Sequence, residues 1–207
     1  MTDILGKLFG SSARVKVLRL FLFNEGDVFL SKEVAKRINL SPETSKREVA
    51  ALSHIGFIKK KTCFRNFSRK HGKKVIVTKK KSIGWTLDES FPYCTQLRFF
   101  LLRATPLTNI EISRRLSRIG KLELVIIAGV FIQNWDSRVD VLIVGNKLKQ
   151  SRLKTAIRDM EVELGKELSV TVLSLGDFKY RVSVYDKLIR DILDYPHETV
   201  IDRIGVN

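Results

Sequence analysis

A chain of 207 residues can bury one large core or two small ones, so its size demands neither disulfides nor metals. Its two cysteines, Cys63 and Cys94, lack a second Cys or His at the close spacings of a zinc site. The formal net charge of +16 is uneven, because residues 1–90 hold 20 Lys and Arg against 8 Asp and Glu and the remainder 18 against 14; a basic first half points to a polyanion, nucleic acid ahead of an anionic membrane.

The longest apolar run, residues 124–132, is short of the roughly 18 to 20 residues that cross a bilayer. "MTDILGKLF" has an early acid and no long apolar core of a signal sequence. The expected setting is cytoplasmic, without a membrane partner and with reduced thiols.

In chain order, "SSARVKVLRLFLFN" predicts a helix whose stripe is Val15, Leu18 and Leu22, with Val17 and Phe21 beside it, ended by a turn at Gly26. "FLSKEVAKRINL" predicts a second helix with Ser31 as its cap and Val34, Ala35 and Ile38 inward, followed by a tight turn at Asn39. "SPETSKREVAALSHIGF" carries the clearest start signal, Ser41 as cap and Pro42 in the first helical position, with Gly56 as stop. Its expected buried stripe is Val49, Leu52 and Ile55, which leaves Glu43, Thr44, Ser45, Lys46 and Arg47 facing solvent. Two short helices joined by a few residues, the second led by small polar and basic side chains, form the helix-turn-helix arrangement for a major groove.

"FIKKKTCFRNFSRKHGKKVIVTKKKSIGWTL" predicts strands around a basic turn containing Gly72, with "VIVT" as a possible strand of its own and a last strand through Trp85 and Leu87. In "KKK" at 59–61 the side chains must alternate between faces, so not all three can serve one ligand. His54 and His71 read as helix-surface and turn residues.

"LFGSSARVKVLRLFLFN", "LSKEVAKRINLSPETSKREVAALSHIGFIKKK" and "GWTL" resemble the winged-helix regulators of the broad group that includes the arsenic- and multiple-antibiotic-resistance repressors. The resemblance implies a third helix in the major groove, where Ser41, Thr44, Ser45, Lys46 and Arg47 lie at or near bases. It also implies a wing whose cations Arg65, Arg69, Lys70, Lys73 and Lys74 bind phosphates, adding affinity more than sequence choice. The partner it implies is double-stranded DNA, in a nucleoid-associated cytoplasmic protein, although some winged helices bind protein instead.

"FPYCTQLRFFLLRATPL" predicts a helix with Leu97, Phe100 and Leu101 inward, and "TNIEISRRLSRIG" another beyond Pro106. These amphipathic stretches form a connector over 89–120 between a first domain, 1–88, and a second, 121–207. They could dock domains or pair subunits, and a palindromic operator would need a homodimer. Arg114, Arg115 and Arg118 add to a nucleic-acid face or form an ordinary exposed helix surface.

"KLELVIIAGVF" and "VDVLIVG" read as buried strands, "LKTAIRDMEVELG" as a helix, "LSVTVLSL" as a strand and "YDKLIRDIL" as a closing helix. The expected class is therefore α+β overall, an N-terminal winged helix-turn-helix plus a C-terminal α/β domain.

That second half resembles the minimal nucleotidyltransferase domain, in which a Gly-Ser pair ends the first strand and an Asp-x-Asp pair on the second holds Mg²⁺. Gly129 matches the glycine and Asp140 the second acid. Val130 stands at the serine position and Arg138 at the first acid, and the loop between is about three residues shorter than the resemblance leads one to expect. One carboxylate cannot assemble a two-metal site, so Gly129, Arg138 and Asp140 read as a vestigial nucleotide site with no catalytic residue, no metal and no cofactor.

Other readings stay open. Asp140 could recruit Asp136 or Glu123 into a displaced metal site, or "SRVD" could set Arg138 beside Asp140 as an ion pair. The functional expectation is a DNA-binding transcriptional regulator whose pseudo-nucleotidyltransferase domain dimerises, senses a nucleotide or other ligand, or binds a protein partner. The alternatives are an active nucleotidyltransferase targeted by its winged helix and an antitoxin-like protein-binding module.

Overall fold

A computed structural model describes residues 3–206 apart from 72–73, 105–106 and 135–136, and apart from the side chains of 67–77. The class is mixed α and β. Two compact units divide the chain: Met1–Ala104 with Val162–Lys166, and Thr105–Glu161 with Glu167–Asn207. The chain thus divides inside the expected 89–120 connector, and the two helices of that stretch fall in different units.

The first unit opens with α1 (Ile4–Phe9), α2 (Ser12–Leu22), α3 (Ser31–Arg37) and α4 (Pro42–His54), then pairs β1 (Ile58–His71) with β2 (Lys74–Leu87), and adds α5 (Cys94–Arg103). Local chemistry fixes the helix starts. The Ser11 hydroxyl accepts from Arg14 N at 2.9 Å to cap α2, and Ser41 does the same for α4 from Thr44 N at 3.2 Å. The cap of α3 is Leu30, not Ser31, because the Glu33 carboxylate folds back to accept from Leu30 N at 2.8 Å and takes over the capping role.

The core joins Val15, Val17, Leu18, Leu20 and Phe21 of α2 to Val34 and Ile38, to Val49 and Leu52, and to Ile58 and Leu87 of the strands. Phe21 and Phe29 meet edge-on with ring centroids 5.7 Å apart. Phe29 and Trp85 exchange two backbone hydrogen bonds of 2.8 Å, which adds a short bridge to the edge of β2. A Cβ at Gly84 would lie 2.6 Å from a Val28 methyl and 2.9 Å from the Phe29 carbonyl, so only glycine lets this bridge close.

Three inward positions differ from expectation. Ile55 is 58% exposed, because α4 ends at His54 and the turn through Gly56, at φ 77°, directs Phe57 into the core instead. Ser45 takes a buried place on α4. Phe100 is 42% exposed, since the inward face of α5 is the stripe of Cys94, Leu97 and Leu101. The Arg19 side chain is buried too, donating to the carbonyls of Leu101 and Ala104 at 3.5 and 3.0 Å, where a cation suits the end of α5. Burial lowers its pKa from the ordinary guanidinium value.

The second unit holds α6 (Asn109–Leu116), β3 (Lys121–Ile127), a 3₁₀ turn (Gly129–Ile132), β4 (Val141–Asn146), α7 (Gln150–Leu164, whose last residues count with the first unit), β5 (Val170–Leu173), α8 (Leu175–Ser183), α9 (Lys187–Asp194) and β6 (Glu198–Asp202). The sheet order is β5-β4-β3-β6, with β4 and β5 parallel and the other pairs antiparallel. A parallel pair needs a long crossover, which α7 provides. The central strands are buried along most of their length, and apolar from Leu124 to Ile127 and from Val141 to Val144, because both faces are covered. One core packs Leu124, Ile126, Leu142 and Val144 against Phe178 of α8 and Ile189 and Ile192 of α9. Among the described residues no helix is long and apolar enough to cross a membrane.

Candidate nucleic-acid interface and the Gly129–Asp140 loop

The N-terminal turns of α4 sort the expected base-reading residues by exposure. Lys46 and Arg47 are exposed and Thr44 is half-buried. The Ser41 hydroxyl is used locally, accepting from Thr44 N and donating to Thr44 Oγ1 at 2.9 Å. Ser45, only 1% exposed, corrects the expectation of a solvent-facing position; four residues before Val49, it shares that residue's inward face.

The orientation of α4 is held by a residue the sequence reading passed over. Glu48 is buried on the helix face behind Arg47, accepting from Arg14 Nε at 2.9 Å and from the Ser11 hydroxyl at 3.0 Å. It thereby joins α4 to the start of α2. The Arg47 guanidinium, 74% exposed, stands 3.7 Å from the same carboxylate. The available signal was an acid at position 48, three residues after Ser45 and four before Leu52, on the inward face of an otherwise amphipathic helix.

On the β1–β2 hairpin, Arg65 is engaged within the unit. It donates to both Glu33 carboxylate oxygens at 3.1 and 3.3 Å and to the Val28 carbonyl, fastening β1 to α3, and the Glu33 bonds raise its pKa above the usual value. Of the other expected wing cations, Lys73 with Gly72 lies outside the described residues, as do the side chains of Arg69, Lys70, His71 and Lys74. The segment "VIVT" is no separate strand but part of β2.

The described hairpin presents further cations that the sequence reading did not single out. The antiparallel register pairs Phe64 with Lys81, Asn66 with Lys79 and Thr62 with Ile83, placing all six on one face. Phe64 and Ile83 are exposed there, with Lys79 Nζ 5.3 Å from the Phe64 ring centre. Lys60 stands 5.6 Å over Trp85 on the same face, while Lys59 alternates to the other side and pairs with Asp88 at 3.0 Å. The run "KKK" at 79–81 was the available signal, since at strand period it puts Lys79 and Lys81 together.

In the second unit, Gly129, Arg138 and Asp140 do not form one cluster. Asp140 lies just before β4, buried, and both its carboxylate oxygens are occupied: Oδ1 accepts from Val130 N and Oδ2 from Ser169 N, each at 2.8 Å. Its own N–H donates to Ser169 O and its carbonyl accepts from Ala128 N. Gly129 has φ 53°, and a Cβ there would fall 2.1 Å from Asp140 Oδ1. The glycine is thus matched to the aspartate. Together they lock the loop after β3 against β4 and β5.

Arg138 is exposed and faces a groove of about 530 Å³ with Lys187, Asp191 and Tyr195. The expectation of Arg138 beside Asp140 on one strand face is corrected, because extended pairing begins only at Val141 and the Ser137 hydroxyl donates to the Val139 carbonyl to turn the chain. Among the described residues no ion pair joins the two. Glu123 is buried at a bulge in β3 and pairs with Lys121 Nζ at 3.0 Å; Asp136 lies outside the described residues. Among the described residues no group of three His, Cys, Asp or Glu side chains comes together.

No family model, curated protein or solved structure matches this chain. The first unit offers exposed cations on a capped helix and on a hairpin with an exposed aromatic, which suits an extended anion. The second unit uses the buried Asp140 carboxylate for backbone amides.

Proposed function

We propose that the protein is a DNA-binding transcriptional regulator whose first unit acts as a winged helix-turn-helix and whose second is a nucleotidyltransferase-like domain that performs no transfer. The observation that carries this reading is the pairing of exposed Lys46 and Arg47 on the first turns of α4 with exposed Lys79 and Lys81 beside Phe64 on the hairpin. In this reading α4 enters the major groove, where Thr44, Lys46 and Arg47 approach base edges. The hairpin contacts the sugar-phosphate backbone. A homodimer in the cytoplasm would match a palindromic site.

The absence of transfer chemistry rests on Asp140. A carboxylate whose two oxygens already accept backbone amides has a structural task, and the position two residues before it, where a second metal-binding acid would stand, holds the cation Arg138. Fluorescence anisotropy tests the binding function, using a duplex selected from a random pool by the full-length protein against a scrambled duplex at physiological salt. Binding that survives scrambled competitor is the expected result. Equal binding to both duplexes would reject sequence-specific regulation.

A further inference from the structure

The second unit is nearly balanced in charge, with 15 Lys and Arg against 13 Asp and Glu. Against that background one groove, about 680 Å³ in volume, is lined by four arginines. Arg114 and Arg115 come from α6, Arg118 from just beyond its end, and Arg152 from the start of α7, where the hydroxyl residues Ser151 and Thr155 also line the wall.

The four cations are not equivalent. Arg114 Nη2 and Arg115 Nε share Glu111 Oε1 at 2.7 and 3.1 Å, so that one carboxylate partly neutralises them. Their donation holds the Glu111 carboxyl below its usual pKa. Arg152 donates to the Arg118 carbonyl at 3.1 Å, which closes the groove wall without consuming either charge. Among the described residues neither Arg118 nor Arg152 has an acid in ion-pair contact.

The groove also has a polarity. Arg152 and Asp159, which also lines it, are seven residues apart on α7, about 10 Å along the helix axis. The positive end therefore accepts an anion and the other end a hydrogen-bond donor. Ile119 and Ala156 lie between them as apolar lining. A long phosphodiester backbone would bring a second anion to Asp159, whereas a small phosphate ester with hydroxyl or amino groups meets both ends. The volume lies within the roughly 300 to 1,000 Å³ of small-molecule sites.

We propose that the groove between α6 and α7 binds a phosphorylated small molecule of the sugar-phosphate or nucleotide class, with its phosphoryl group on Arg118 and Arg152 and a hydroxyl or amino donor at Asp159. Arginine suits this task because its planar donor fork meets phosphoryl oxygens in pairs. This does not rest on the DNA-binding reading, which concerns the other unit.

Calorimetric titration of the full chain at physiological salt tests it, with ribose 5-phosphate and AMP as probes and ribose and adenosine as uncharged comparators. At least one phosphorylated probe is expected to bind and its comparator not. Arg118→Gln with Arg152→Gln should weaken that binding at least tenfold at an unchanged thermal midpoint, while Lys154→Gln, on α7 outside the lining, should leave it intact. If the double variant does not fold, Arg118→Gln alone is read in its place. Failure of both probes to bind, or binding that survives removal of the two arginines, overturns the proposal. So does a double variant that loses duplex DNA affinity while neither probe binds, since the groove would then serve nucleic acid.

Discussion

At the scale of single residues, the Gly129–Asp140 contact shows how one carboxylate decides what its neighbours can be. Asp140 accepts two backbone amides at 2.8 Å, and a side chain at Gly129 would collide with it at 2.1 Å. Asp140→Asn turns one acceptor into an N–H that faces another N–H. The loss is expected at about 1 to 3 kcal/mol in urea denaturation. Gly129→Ala adds both the collision and a positive φ, so it should destabilise at least as much. Neither substitution should change affinity for DNA if the loop is structural, and a large affinity loss in a variant of unchanged stability would contradict that role. The two cysteines form a second contrast. Cys94 is buried, and that burial raises its thiol pKa, so it stays protonated; Cys63, half-buried on β1, is the more accessible. Timed alkylation followed by mass spectrometry should label Cys63 first in the native protein, and equal rates would show that the α5 start opens readily.

Elements are held in place by a few polar links across an apolar core, and these links were the least legible part of the sequence. Glu48 is the test. With Arg14 and Ser11 as partners it ties α4 to α2, and Glu48→Ala leaves the half-exposed Arg14 and a cap hydroxyl without their acceptor. A loss of about 2 kcal/mol is expected from chemical denaturation, smaller than for a fully buried pair because Arg14 can turn to water. A loss below about 0.5 kcal/mol would mean that packing alone orients α4. The stripes of α2 and α3, the Ser41–Pro42 start and the strands of the second sheet were readable, because period and cap signals are local. The short α1, α8 and β6 were not singled out: six and five residues carry little periodic signal in α1 and β6, and α8 has Phe178 as its buried residue and so no apolar stripe to read. Ile55 was misplaced because burial at a helix end depends on where the next turn directs the chain, which no stripe records, whereas Ser45 does lie on the stripe of Val49 and Leu52 but as a small polar residue gives no apolar signal.

For the whole molecule the decisive quantity is where charge accumulates. The first unit carries 23 Lys and Arg against 9 Asp and Glu, so almost all of the net +16 belongs to it. If that excess serves a nucleic-acid backbone, affinity must fall with salt at a slope of about −0.9 per phosphate neutralised. Cations on the hairpin and on α4 should then separate by what they change. Replacing Lys79 and Lys81 by Ala removes two side chains from one exposed face, distant in sequence from the core residues of β2. Selected and scrambled duplexes should both weaken, and the slope should flatten by about two units. Arg47→Ala removes a cation that leads α4, and its expected effect is a loss of preference of about 1 to 3 kcal/mol for the selected duplex, with little change on scrambled DNA. Anisotropy titrations at four salt concentrations measure both quantities. If Arg47→Ala weakened every sequence alike, Arg47 would be a phosphate contact and α4 would not read bases. If the hairpin substitutions left the slope unchanged, the basic face of β1 and β2 would have to serve something other than a polyanion.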